Sequence, residues 1–106
     1  MTSSQRRFEI LLPRRFNDGQ PVPDELFADT FLDIRQQFGA VSSETQIIQG
    51  YWENAGQAYR DELIRVFVDV ADTQENQQFF HEFKERLRGR FQQIEIRITT
   101  YLIEAY

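Results

Sequence analysis

The sequence contains no cysteine, one histidine, three prolines and one methionine. Without thiols there is no disulfide framework, no thiolate metal site and no cysteine nucleophile. A single imidazole, His81, excludes a metal site built from several histidines of one chain. We expect neither metal nor cofactor. No apolar run approaches the ~18 residues that a membrane-spanning helix needs. The start, Met1-Thr2-Ser3-Ser4-Gln5-Arg6-Arg7, lacks the apolar stretch of a secretion signal. A cytoplasmic protein without membrane contact is the expectation. Positive charge is scarce as well. Twelve Lys and Arg stand against 17 Asp and Glu, a net charge of −5. That balance argues against a protein that grips nucleic acid along its phosphate backbone.

What is present is aromatic and aliphatic. The 106 residues include ten phenylalanines, and 41% of the chain is hydrophobic. Surface scaling gives roughly 18,000 Å² for the open chain and roughly 6,000 Å² folded, enough for one core. We therefore expect a single domain over residues 1–106, with short tails at 1–6 and 101–106.

Phe8, Ile10 and Leu12 alternate and predict a half-buried strand, which Pro13 ends. Residues 13–23 form a loop, because Asn17-Asp18-Gly19 and two prolines are turn chemistry. A helix follows from near Pro23. Asp24 and Glu25 suit its positive end, and Phe27, Phe31, Ile34 and Phe38 make one apolar stripe. Gly39 falls at a left-handed cap. Residues 44–53 are β-prone, with Ile47 and Tyr51 on one side and Ile48 and Trp52 on the other. Asn54-Ala55-Gly56-Gln57 suits a hairpin loop. A strand from Leu63 to Ala71 carries Ile64, Val66, Val68 and Val70. Asp72 and Glu75 have capping-box spacing and open a helix bearing Phe79, Phe80, Phe83, Leu87 and Phe91. Its end lies between 88 and 93. Ile94, Ile96 and Ile98 predict a last strand.

The order β-α-β-β-α-β predicts an α+β ferredoxin-like two-layer sandwich, with an antiparallel sheet and both helices on one face. The three aliphatic strand faces should meet the phenylalanine stripes. Phe31, Phe83, Val66, Val68 and Ile96 should lie deepest. The opposite face carries Glu9, Leu11, Arg65, Phe67, Asp69, Glu95, Arg97 and Thr99, a mixture of charges and apolar groups.

Four clusters are candidates for function. Arg14 and Arg15, with Asn17 beside them, could hold an anion with two guanidinium groups and loop amides. Acylphosphatases share the fold class and place an anion-binding arginine after the first strand. Their glycine-rich signature is absent here, so that activity is not carried over. Tyr51, Trp52 and Tyr59 flank the hairpin, with Arg60, Asp61 and Glu62 following; the group could line a ligand or partner surface, or only brace the hairpin. Leu11 and Phe67 could add an apolar patch to the open sheet face. His81 has Glu85 four residues on, an arrangement that could orient a base but is more often a surface pair worth little. Lys84, Arg86, Arg88 and Arg90 complement the second helix's C-terminal dipole. They do not make a nucleic-acid face, since the first strand lacks the aromatics of an RNA-recognition motif.

Val22, Gly50-Tyr51-Trp52, Gly56, Glu62, the strand Val66–Val70 and the helix end Arg90-Phe91 resemble small uncharacterised bacterial domains of unknown function. Those domains have a Gly-x-Trp hairpin, and the similarity spans residues 8 to 92. It implies a ferredoxin-like fold and no known chemistry. Two readings of function follow. One is a self-associating binding domain, a homodimer through the open sheet face and the C-terminal tail. The other is a small enzyme acting on an anionic substrate through Arg14 and Arg15, with His81 in support. An occluded sheet face would mark the first, a concave pocket at the first loop the second.

Overall fold

The computed structural model describes residues 4–44 and 46–106. Thr45 of the expected second strand and residues 1–3 of the expected N-terminal tail lie outside them. The elements are β1 (Gln5–Pro13), α1 (Asp24–Phe38), β2 (Ser42–Ser43), β3 (Ile48–Asn54), β4 (Gln57–Ala71), α2 (Gln74–Phe91) and β5 (Arg97–Ile103). One five-stranded sheet runs β2-β4-β1-β5, and β3 also pairs with β4. Every neighbouring pair is antiparallel. This is the ferredoxin-like sandwich: β1 fills the gap between strands that a helix connects.

The core follows from the period-two pattern. Phe8, Ile10 and Leu12 lie opposite Val68, Val66 and Ile64. All but the half-buried Ile64 are buried. Phe80 stacks on Phe8 with centroids 3.9 Å apart, and Phe38 stacks on Phe80 at 5.4 Å. Phe83, Leu87 and Phe91 complete the buried stripe of α2, and Ile34 and Thr30 that of α1. Of the residues expected deepest, Phe83, Val66, Val68 and Ile96 are buried, but Phe31 is only half-buried. It sits three residues before Ile34 on α1, at a surface cleft that it lines with Ser43 and Ile64.

Several boundaries differ from expectation. The tails at 5–6 and 101–103 are strand, because Gln5, Arg6 and Arg7 pair with Ala71, Val70 and Asp69 on one side and Ile103, Leu102 and Tyr101 on the other. Backbone pairing on two sides offsets the polar side chains. In turn Asp72 takes Arg6 at 2.9 Å. That contact diverts Asp72 from capping α2. Thr73 caps instead, accepting from the Asn76 N–H at 3.2 Å. β5 starts at Arg97, three residues later than expected, since Pro13 has no N–H to extend the ladder past Leu11 and Arg97. Ile94 is consequently not a core residue: it is 74% exposed. The hairpin turn is Ala55-Gly56, with φ of 52° and 79°. Positive φ at both central residues matches the twist of a two-residue hairpin. β4 runs back to Gln57, six residues earlier than expected. No helix among the described residues is long and apolar enough to cross a membrane.

Candidate functional site

On β4 the even-numbered side chains face the helices and the odd-numbered ones face the open side, as the burial of Val66, Val68 and Val70 fixes. The open side over β1, β4 and β5 is laced with ion pairs. Arg7 donates to both Asp69 oxygens at 2.7 and 3.0 Å. Arg65 bridges Glu9 and Glu44. The Tyr101 hydroxyl donates to Glu9 at 2.6 Å. Hydrogen bonds from Arg65, then Tyr101, hold the Glu9 carboxyl below the usual carboxylate range, and Asp69 pushes the Arg7 guanidinium up. Phe67 lies under two guanidinium groups, Arg65 at 4.5 Å and Arg7 at 4.9 Å from its ring centroid. It is therefore half-buried within its own chain, partnered by cation–π contacts.

The hairpin leaves this sheet as an arm. Residues 51–60 are all exposed, and the molecule extends 50 Å along its long axis against 29 and 25 Å across. Trp52 and Tyr59 oppose each other and stack, with centroids 4.4 Å apart and 16° between planes. The indole N–H of Trp52 donates to Asp61 Oδ2 at 2.7 Å. Tyr51 points to the other side of the ribbon and is 72% exposed.

At the base of the arm the first loop comes round. The loop is braced by its own backbone: Phe16 N–H donates to Gln20 at 2.8 Å, Gly19 N–H to Phe16 at 2.9 Å, and Asp18 accepts from Gln20 N–H at 2.9 Å. Gly19 has φ of 86°, a value that suits glycine. Between loop, arm and the Gln93–Ile96 connection lie two adjoining cavities of about 520 and 530 Å³. They share Pro13, Asn17, Trp52, Asn54, Asp61 and Ile94. Arg15, Tyr59 and Arg60 line the first, and Leu11, Leu63 and Arg97 the second.

The structure thus brings Arg15, Asn17, Leu11, Trp52 and Tyr59 together and separates four other candidates from them. Arg14 turns to the helix side and pairs with Glu62 at 3.1 Å, beside a different cavity formed with Asp24, Phe27 and Phe31. Adjacent residues of an extended chain point to opposite faces, so Arg14 and Arg15 do not form one anion clamp. Tyr51 and Phe67 lie outside the cavities. His81 is exposed beside Gln74, Glu75, Gln77 and Gln78, and its expected partner Glu85 pairs with Arg88 at 3.0 Å. The basic residues of α2 are neutralised in turn, Lys84 by Glu95 at 2.8 Å and Arg90 by Asp33 at 2.8 Å. Lys84 also holds the Glu95 carboxyl below its ordinary range. Asp61 and Arg60 belong to the hairpin group that the sequence singled out, whereas Ile94 was expected in the core and Arg97 only on the open sheet face. Counting outward from the turn at Ala55-Gly56 places Tyr59 against Trp52 and Asp61 against Gly50, a signal that was available.

No family model and no curated protein matches the chain. Solved structures do. A phage SAM lyase in complex with S-methyl-5'-thioadenosine superposes with a TM-score of 0.70 at 14% identity, over 99% of this chain and 93% of that one. CutA from Synechococcus elongatus gives 0.62 at 9% identity, over 96% of this chain and 79% of that one. CutA1 from Oryza sativa gives 0.62 at 10%, over 99% and 84%. At these identities the likeness is one of fold: the chain has a ferredoxin-like α+β architecture.

Proposed function

We propose that the chain is a self-associating binding domain, with a homodimer as its smallest closed assembly and the open sheet side, the arm and the β5 edge as its contact surface. The observation that carries this is the arm. A two-stranded ribbon is marginal in water by itself. Here it holds Tyr51, Trp52 and Tyr59 exposed along ten successive exposed residues. Tyr101 and Leu102 are exposed on β5, the strand at the other edge of the sheet. Aromatic side chains exposed on both sides of a ribbon without a packing partner favour a protein contact. A two-fold contact lets one copy's arm cover the other's sheet side, each patch meeting its own copy. A buried total of roughly 1,200–2,000 Å² is the size such a contact needs. The reading as a small enzyme acting through Arg14 and Arg15 has less support, since these two arginines serve different faces. Sedimentation equilibrium at micromolar concentration is the test. Twice the 12.7 kDa chain mass is expected, falling to one chain in Tyr51→Glu. A wild-type protein that stays at one chain mass throughout overturns the reading.

A further inference from the structure

Twelve lysines and arginines are present, and eight of them form ion pairs among the described residues: Arg6, Arg7, Arg14, Arg65, Lys84, Arg86, Arg88 and Arg90. The other four are Arg15, Arg35, Arg60 and Arg97. Three of those four line the corner cavities. A protein of net charge −5 has acids to spare for neutralising its cations. Cations left over in one place are consequently informative. The same corner holds the stacked Trp52 and Tyr59 rings, both exposed. Its walls also carry Glu53, Glu62 and Glu95, of which Glu62 pairs with Arg14 and Glu95 with Lys84, and Asp61, whose Oδ2 takes the indole N–H and whose Oδ1 has no hydrogen-bond donor among the described residues. Arg15 donates one N–H to the Gly19 carbonyl at 3.1 Å, which steadies its head while leaving the rest of the guanidinium fork available. Cavities of 300–1,000 Å³ with apolar walls and a few convergent polar groups are the ordinary form of a small-ligand site.

We propose that this corner binds a small ligand made of a flat, N–H-bearing heteroaromatic ring joined to an anionic group, the chemistry of a nucleoside monophosphate. The ring stacks on Trp52 and donates to Asp61. The anion is held by Arg15, and Asn17 stands between the two ends; Arg60 pairs across the ribbon with Tyr51 and points to its other side. Each part answers a feature that the other parts leave idle. A plain anion would not use the aromatic pair, and a plain ring would not use Arg15. The site is built from one chain, and it shares Trp52 and Tyr59 with the proposed contact surface.

Trp52 is the one tryptophan in the chain, so intrinsic fluorescence reports on this corner directly. Adenosine 5'-monophosphate, adenosine, ribose 5-phosphate and benzoate are titrated against the full chain. Light scattering on the same samples records the state of association separately. Adenosine 5'-monophosphate is expected to quench Trp52 at submillimolar concentration, with adenosine and ribose 5-phosphate each at least about tenfold weaker. Tighter binding of benzoate would overturn the assignment to a nitrogen heterocycle. Arg15→Ala should weaken adenosine 5'-monophosphate about tenfold and leave adenosine unchanged, the loss of one charge-assisted contact. Arg14→Ala, on the other face, should change neither. Absence of both quenching and calorimetric heat with adenosine 5'-monophosphate at millimolar concentration overturns the proposal. Equal loss in Arg14→Ala and Arg15→Ala does so too, because it would show attraction by overall charge.

Discussion

β4 is a single strand of 15 residues that serves two regions held in different ways. From Leu63 to Ala71 it lies between β1 and the β2–β3 side, with Val66, Val68 and Val70 buried under the helices. From Gln57 to Asp61 it has β3 alone as a neighbouring strand, and only at Glu62 does the backbone N–H of Arg14 meet its other edge, at 2.9 Å. The inner half is held by apolar burial and by ladders on both edges. The outer half is held by one ladder, the Trp52–Tyr59 stack and the Trp52–Asp61 hydrogen bond. The comparison teaches that strand continuity does not imply uniform stability. A backbone can run without a break from a region that opens only on global unfolding to one that opens locally.

The largest way to test that contrast is Phe83→Ala. Phe83 is fully buried among Phe79, Phe80 and the sheet. Its truncation should cost about 3–5 kcal/mol in urea denaturation, a large share of the stability of a domain of this size. A loss below about 1 kcal/mol would mean that the core does not carry the fold. Arg65→Ala tests the open sheet side of the same strand. It removes the partner of Glu9 and Glu44 and one of the two guanidiniums over Phe67. A loss of about 1–2 kcal/mol is expected, more than a lone surface pair would give because the contacts form a network.

The acid limb of stability sharpens the picture. Glu9 has its carboxyl pKa lowered on folding by Arg65. Its contribution is therefore complete above the ordinary carboxylate range and is lost as pH falls through the folded value. Glu9→Gln should be less stable than the wild type at pH 7. The difference should shrink steadily below about pH 4, as followed by urea midpoints. A gap that is independent of pH would detach Glu9 from this linkage. The smallest effect belongs to the arm: Tyr51→Ala should change stability by less than about 0.5 kcal/mol. In dilute solution, amides of residues 51–60 should exchange far faster than those of Val66 and Val68. Equal protection in the two halves of β4 would erase the distinction between body and arm.

Much of the fold was legible because its signals are local. Alternation of Phe8, Ile10 and Leu12, the stripe from Phe27 to Phe38 and the glycine at position 39 each act within one element. The misreadings came where a distant partner intervened. Asp72 looked like a cap until Arg6, 66 residues away, claimed its carboxylate. Ile94 looked like a core residue until Pro13 stopped the β5 ladder short. Tyr101 and Leu102 looked like a tail because nothing near them in the chain reveals that β1 offers a second edge. Of the candidate site, Trp52 and Tyr59 could be paired by counting from the turn. That Arg15 joins them, and that Arg14 does not, depends on how the first loop folds back against the arm.

The amino-acid sequence by itself determined the identity and order of the main elements and which faces are apolar, because side-chain periodicity and turn chemistry operate over a few residues. Only the tertiary structure decided where the strands end, which charges are neutralised and which remain. Those outcomes depend on register, and register brings together side chains far apart in the chain. The corner at Trp52 is the product of three such long-range placements: the first loop, the arm and the α2–β5 connection.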